Sequence, residues 1–501
     1  MLKKKNTKKN NRRSIGPVVE IIIMILIVSV ISLIFNLLDF SGYITEARSF
    51  ETTLVTVNNI FSYDGFNYIL NNSLINFQTL EPLVLIILSL ISISILEASG
   101  LLKHLFTPLK KIKSKYVTLI LIFVSIISTI IGDYSYAFLI PLAGILYKYS
   151  GRSSTLGIIT CFIGITIGYG TGLIYNYQAY QLGDMTELAA QSIVSNYNYE
   201  LLSNIFIMIV STVILTIVAT ILLENFSKKY PRNEETDTLN TSKKAFKVTV
   251  IVFFILLAAF IYCLIPNLPF SGLLLDKSEP TYVGKLFGID SPLNNGFMII
   301  MIVILMICGF VYGGISRNIK NSDDFSKALS KSFENTGFVF VLLLFASILY
   351  EILNWTNLST IITTNIVDFI GSSNLSGVML VIVVFLSIIL ISIVNPMSLT
   401  KWSLISPIYV PLLMRANLSP TFAQMIFLAS DSVGKLFSPI YVYLIVTIGF
   451  IYKYDNQNNG IIKTMKKIMP IILVLGLVWL VIIVGWYFIG LPIGIDTSIA
   501  L

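Results

Sequence analysis

Apolar runs of 18 or more residues recur along the chain, separated by short polar or charged stretches. At 1.5 Å per residue, each is long enough to cross a hydrocarbon core of about 30 Å as a helix. Nine such spans are expected, at about 17–38, 81–101, 154–180, 200–223, 248–265, 296–315, 333–353, 420–448 and 468–490. Two further runs, 117–149 and 376–414, are too long for one ordinary span and too short for two with a loop. The first is broken by GDYSY (132–136) and the second by NPMSLTKW (395–402). Each is expected to enter the bilayer, turn and leave by the same side as a re-entrant hairpin. The third and eighth spans are also interrupted, by GYGTG (168–172) and SDSVGK (430–435). Irregular backbone at membrane depth is tolerated only where protein or a wet cavity surrounds it. The expected fold class is an all-α integral membrane protein with nine transmembrane helices and two oppositely oriented hairpins.

The basic residues orient this thread, because cytoplasmic loops retain Lys and Arg. Of the 34 Lys/Arg, 28 fall on segments assigned to one side, beginning with the tail MLKKKNTKKNNRRSIG. Arg48, Lys277, Lys285 and Arg415 fall on the other side, and Lys401 and Lys435 at membrane depth. The N-terminus is therefore expected in the cytoplasm and the C-terminus outside, with the first hairpin opening inward and the second outward. Expected divisions are a basic cytoplasmic tail (1–16), scaffold helix 1 with an external segment (17–80), and transport repeat 1 (81–224). A cytoplasmic linker (225–247), scaffold helices 5 and 6 (248–331) and transport repeat 2 (332–501) follow.

Composition closes off other classes. The chain is 55% hydrophobic and 12% charged, with a mean hydropathy of +0.84. An ordinary soluble domain carries about 25% charged residues. A soluble enzyme and a disordered chain are excluded. The net charge of +8 comes from loops on one face, so it does not indicate nucleic acid; contact with anionic lipid is the secondary reading of the tail. One histidine, His104, and three cysteines in apolar runs make a catalytic zinc site improbable.

The halves share an order of parts: helix, broken hairpin, broken helix, helix. At an offset of 266, Tyr136 meets Trp402, Pro141 meets Pro407, Leu146 meets Leu412 and Thr155 meets Thr421. Inverted repeats with interrupted elements in matching positions point to a secondary transporter whose site lies near the midplane. Candidate residues follow from polarity at that depth. Asp431 and Lys435 are four apart and share a helix face. Ionisable groups there mark a pathway or a coupling site; the alternative is a static ion pair. Asp133, at the first hairpin turn, is a proton or sodium acceptor or else a local cap. Asn395 and Ser398 offer oxygens to an ion, so a sodium ion near Asp133, Asn395 and Asp431 is one option and a proton the other. Lys401 and Trp402 are assigned to the second hairpin turn, where Trp402 either stacks on an aromatic substrate or packs between hairpins. Gly170, within GYGTG, supplies flexible backbone to the cavity. No HExxH, GxSxG or paired catalytic His is present, which leaves an integral membrane enzyme a remote alternative.

Several segments carry a family resemblance: EASGLLKHL, DYSYAFLIPLAGILYKYSGR, NWTNLS, KWSLISPIYVPLLM, SDSVGKLFSPI and WYFIGLPIG. Together they resemble the AbgT family, the p-aminobenzoyl-glutamate transporters. The resemblance implies a homodimer in the plasma (inner) membrane and ion-driven transport of p-aminobenzoyl-glutamate or related folate precursors, with export of sulfonamide antimetabolites. No organic cofactor is implied; the partners are a small-molecule substrate and lipid. The family's Trp, Pro and Asp positions fall on Trp402, Pro420 and Asp431. Its Arg falls on Leu428, its Ser on Leu399, its Asn on Ser392, and a second Asp near Ala179, beside Gln178. The lost Arg and Asp keep open a carrier of another organic anion, a dicarboxylate or an amino acid, with Lys435 as the replacement cation.

Overall fold

Two antiparallel strands, β1 (Ser41–Thr45) and β2 (Thr52–Thr56), pair in register from Ser41↔Thr56 to Thr45↔Thr52; among the described residues every other regular element is helical. The structure, a computed structural model, describes residues 15–47, 51–174, 177–228, 230, 238–288, 290–455 and 460–501. The basic tail before Ile15, Arg48, and residues 229 and 231–237 of the 225–247 linker lie outside the described residues.

Helix α1 (Pro17–Leu37) precedes the strands, and α2 (Tyr63–Gln78), α3 (Glu81–Ala98) and the short α4 (Leu101–Phe106) follow them. The first repeat continues with α5 (Ser114–Ile127), α6 (Tyr134–Tyr149), α7 (Ser154–Ile167), α8 (Tyr177–Ala190) and α9 (Ile205–Ser227). Helices α10 (Lys243–Tyr262), α11 (Tyr282–Phe287), α12 (Pro292–Ser316) and α13 (Ser322–Ser330) separate it from the second. That repeat runs through α14 (Gly337–Trp355), α15 (Leu358–Gly371), α16 (Gly377–Val394) and α17 (Ser398–Arg415). It closes with α18 (Pro420–Phe437), α19 (Val442–Tyr454) and α20 (Ile461–Ile489). Among the described residues nine helices are long and apolar enough to cross a membrane. Two of those are hairpin arms, α5 with the 3-10 turn after it and α16; two of the nine expected spans are instead the broken pairs α7/α8 and α18/α19.

Both hairpins turn back. On a straight helix Thr118 and Tyr147 would stand roughly 44 Å apart, yet their hydroxyls are within 3.1 Å. Ser387 and Tyr409, roughly 33 Å apart on a straight helix, approach to 2.9 Å. The first turn is made at Gly132, whose φ of 59° and ψ of −137° form a combination essentially reserved for glycine. The second is made at Asn395–Met397, where Pro396 withdraws a backbone donor.

The two hairpins open at opposite ends. Arg152, just past the first, meets Glu224 in the last turn of α9 at 2.6 Å. Ser419, just past the second, donates its N–H to Ile499 O at 2.7 Å. Residue 499 follows α20, and Phe206 N, at the start of α9, bonds Ile493 O in the same segment at 2.9 Å. The openings are thus separated by the length of α9. The offset of 266 also holds in space: α6 ends at Tyr149 and α17 at Arg415, α7 starts at Ser154 and α18 at Pro420.

Three boundaries differ from expectation. The segment 39–80 is not merely an external connection; α2 continues into α3 and lies along α14. Its asparagines, Asn67, Asn71, Asn72 and Asn76, dilute the apolar signal. The segment after the third span begins as helix, α8, up to Ala190. The eighth span is unbroken through SDSVGK and breaks instead at Ser438–Tyr441, where the two halves bend by 44°. Pro439 sets that position, because proline disfavours helical backbone in the residue before it; Ser438 has ψ 115°.

Arg152 closes the first hairpin like a pin. Its guanidinium donates to Thr118 Oγ1 at 2.6 Å, Tyr147 OH at 3.0 Å and Ser114 O at 3.2 Å as well as to Glu224. Arg152→Ala is expected to destabilise the protein by about 2 kcal/mol, read as a lower thermal unfolding midpoint in detergent. Arg152→Lys should recover only part of this, because lysine lacks the planar fork.

Candidate functional site

The hairpin tips and helix breaks converge on one polar cluster. Asp431, on the last turns of α18, is 1% exposed, and Lys401, on the first turns of α17, is fully buried. Lys401 Nζ donates to Asp431 Oδ1, to Ser392 Oγ at 2.7 Å and to Asn395 O at 2.9 Å. That uses all three of its donors. Ser398 donates to Asp431 Oδ2, and Lys435 Nζ stands 3.2 Å from the same oxygen. One carboxylate therefore faces two buried ammonium groups, and the triad joins α16, the tip of hairpin 2 and α18.

Lys435 is placed differently from Lys401. Besides Asp431 it lies over the ring of Tyr169, 4.1 Å from the centroid, an attractive cation–π placement. It also lines a cavity of about 480 Å³. Tyr169, in the break between α7 and α8, donates its hydroxyl to Asp133 Oδ1 at the tip of hairpin 1. A continuous polar path thus runs Asp133, Tyr169, Lys435, Asp431, Lys401, from one hairpin tip to the other. Tyrosines frame it: Tyr136 stacks on Tyr443 at 4.2 Å between centroids, and Tyr441 donates to Tyr136 OH at 3.0 Å.

Of the residues singled out from sequence, Asp133, Gln178, Ser398 and Lys435 are on the cavity wall. Asp431, Lys401 and Asn395 stand directly behind Ser398 and Lys435. The oxygens suggested for sodium do not converge on one point: Asn395 O and Asp431 converge on the Lys401 ammonium, and Asp133 is linked toward them through Tyr169 and Lys435. Lys401 and Trp402 are not at the hairpin turn but on the first turns of α17. Trp402 is buried away from the wall, with Nε1 donating to Thr186 Oγ1 at 3.0 Å and its ring 4.4 Å from Phe427. It packs α17 against α8 and α18, the second of the two roles considered. Pro420 opens α18 at its first position, where a missing N–H costs nothing. Gly170 is buried because a Cβ there would lie 3.0 Å from Trp479 and 3.2 Å from Ala429 N. Its role is close approach of the α7 break to α18. Ala179 and Leu428 flank a neutral contact in which Gln424 Nε2 donates to Ala179 O at 2.7 Å.

The wall also carries residues that sequence reasoning did not single out: Glu81 at the start of α3, Glu351 and Asn354 on α14, and Tyr68 and Asn76 on α2. Glu351 sits in the apolar run 333–353. An acid within a span was the signal available for it.

Two opposed re-entrant hairpins, two broken helices and a polar cavity where they meet define a multi-span membrane protein built as a secondary transporter. The chain belongs to the AbgT putative transporter family, which it matches over residues 12–501. It is 24% identical over 459 residues to the p-aminobenzoyl-glutamate transport protein of Escherichia coli (strain K12), covering 89% of this chain and 87% of that one. It superposes on the YdaH transporter of Alcanivorax borkumensis with a TM-score of 0.51 at 24% identity, covering 96% of this chain and 100% of the other. The Neisseria gonorrhoeae MtrF structure, described with a class of antimetabolite efflux pumps, gives a TM-score of 0.49 at 24% identity over 97% and 98% of the two chains.

Neutralising Asp431 leaves two buried lysines without a counter-charge. Asp431→Asn is expected to destabilise the protein by about 3 kcal/mol and to abolish gradient-driven uptake in proteoliposomes. Adding Lys401→Met should recover part of the thermal midpoint, since Lys435 stays uncompensated, but not transport; wild-type-like uptake in Asp431→Asn would remove the triad from the mechanism.

Proposed function

We propose that the protein is an ion-gradient-driven secondary transporter of p-aminobenzoyl-glutamate or related folate-pathway compounds, exporting sulfonamide-type antimetabolites by the same cavity. The cargo crosses chemically unchanged. The observation that carries this reading is Lys435: a cation on the cavity wall, held by Asp431 and Tyr169. It stands one turn beyond Asp431 and replaces the family arginine whose position is Leu428. Family membership and the E. coli relative support the substrate. Gln178, 7% exposed, brings a side-chain Nε2 with no hydrogen-bond partner to the same wall. It suits a carboxylate or amide oxygen of the cargo. The coupling ion, a proton or sodium, is exchanged at Asp133, the carboxylate of the path that reaches the cavity directly.

A second reading rests on the wall's charge. Glu81, Asp133 and Glu351 face one lysine there, a balance that disfavours a simple dicarboxylate and suits an amino-acid-like cargo.

We infer that the chain resides in the plasma membrane as a homodimer, with its N-terminus cytoplasmic and its C-terminus outside. In that orientation Glu81 and Asn354 lie toward the outer ends of their helices and the cavity is the outward-facing vestibule.

The test is uptake of radiolabelled p-aminobenzoyl-glutamate into proteoliposomes under an imposed proton or sodium gradient. Uptake under one gradient only identifies the ion; none under either rejects the proposed substrate. Lys435→Gln is expected to raise KM at least about tenfold, the loss of one charged hydrogen bond, and Lys435→Arg to stay close to wild type.

A further inference from the structure

Glu351 is an acid inside an apolar helix, 2% exposed, and the Lys401–Asp431–Lys435 path does not use it. Ser73 on α2 donates to its Oε2 at 3.0 Å, and the Asn76 amide is a second hydrogen-bonding neighbour of the carboxylate. Its Oε1 has no hydrogen-bond partner. A buried carboxylate oxygen without a donor is costly, and such a group in a native site calls for an explanation. Glu351 lines the cavity, the side from which a donor would have to come.

Its position relative to Lys435 is fixed by the preceding residue. Tyr350 OH donates to Ile440 O at 2.8 Å and accepts from Val442 N at 3.2 Å. This clamps the α14 turn bearing Glu351 onto the break just beyond Lys435. The two charged groups therefore belong to adjoining walls of one cavity, with the rings of Tyr68, Tyr134 and Tyr177 also on its surface.

We propose that Glu351 Oε1 is the amine-recognising end of this site. The cargo is a molecule with a primary amine at one end, an aromatic or apolar body, and a carboxylate at the other. The amine N–H donates to Glu351 while the carboxylate meets Lys435. This rests on the substrate class proposed above and narrows it: the 4-amino group, not only the anionic end, is read by the protein.

The test compares binding of p-aminobenzoyl-glutamate and of benzoyl-glutamate, which lacks only the amine, to the purified full-length protein by calorimetry. The wild type is expected to favour the amine at least about tenfold, the range of a hydrogen bond to a charged group. Glu351→Gln should narrow that preference. Glu351→Met should abolish it while leaving benzoyl-glutamate affinity within about twofold. A purely structural role for Glu351 would move both ligands together. Equal wild-type affinity for the two ligands, or a preference that survives in Glu351→Met, overturns the proposal and leaves the substrate class standing. Failure of both to bind the wild type overturns the substrate class and this proposal with it.

Discussion

The arrangement depends on one carboxylate. Asp431 is surrounded by two lysines and two serines at a depth where water is scarce, and each of those partners comes from a specific place. Lys401 and Ser398 are available only if hairpin 2 turns at Asn395–Met397, Ser392 only if α16 stops there, and Lys435 only if α18 stays helical for one more turn. A buried charge without its partner is penalised by several kcal/mol. The electrostatics of a single side chain thus specify where the second hairpin must bend and where the eighth span must not. Pro439 then ends the helix beyond the triad, leaving α18 intact through Phe437, past its lysine.

The same constraint explains why the two lysines divide their work. Lys401 spends every donor inside the protein and has none to offer a cargo. Lys435 is shared among Asp431, the Tyr169 ring and the cavity, and it sits in the last turn of α18, where the helix dipole favours a cation. With one carboxylate and two ammonium groups the cluster is deficient in negative charge, and the deficit is presented to the cavity at Lys435. Asp133 is linked to that lysine through Tyr169. A change in the charge of Asp133 is therefore felt at Lys435 across one aromatic ring, the route on which the proposed coupling of ion and cargo rests.

The hairpins, the broken spans and their opposed senses were legible because lipid forbids unpaired backbone. A run too long for one span and too short for two has few ways to fold, and GDYSY and NPMSLTKW mark where it turns. The break in the eighth span lies beyond its expected place because SDSVGK has the composition of a polar interruption yet stays helical. Its charges are instead satisfied by a distant hairpin, and no local pattern carries that information. Pro439, a few residues later, was the stronger local signal. Helix α2 was obscured for a related reason. One side of it faces the polar cavity through Tyr68 and Asn76, and a helix with a polar face lacks the uniform apolarity by which spans are recognised.

Site residues divide along the same line. Asp133, Ser398 and Lys435 were accessible to sequence reasoning because polar groups at depth are few. Trp402 resembled a substrate platform, but its indole N–H requires a buried partner and finds one in Thr186, which fixes the ring between helices and away from the cavity. Glu351 escaped notice because it lies near the end of its span, where an acid is easily taken for an interfacial residue. Only the packing of α2 against α14 turns that position inward. Ala179 and Leu428 show the complement of this logic. The resemblance places an acid and an arginine at these two positions, and both are apolar here on elements that meet through Gln424. Losing the two charges together leaves no buried ion unpaired, so the contact between α8 and α18 is preserved. The positive charge near Asp431 is supplied one turn further along by Lys435.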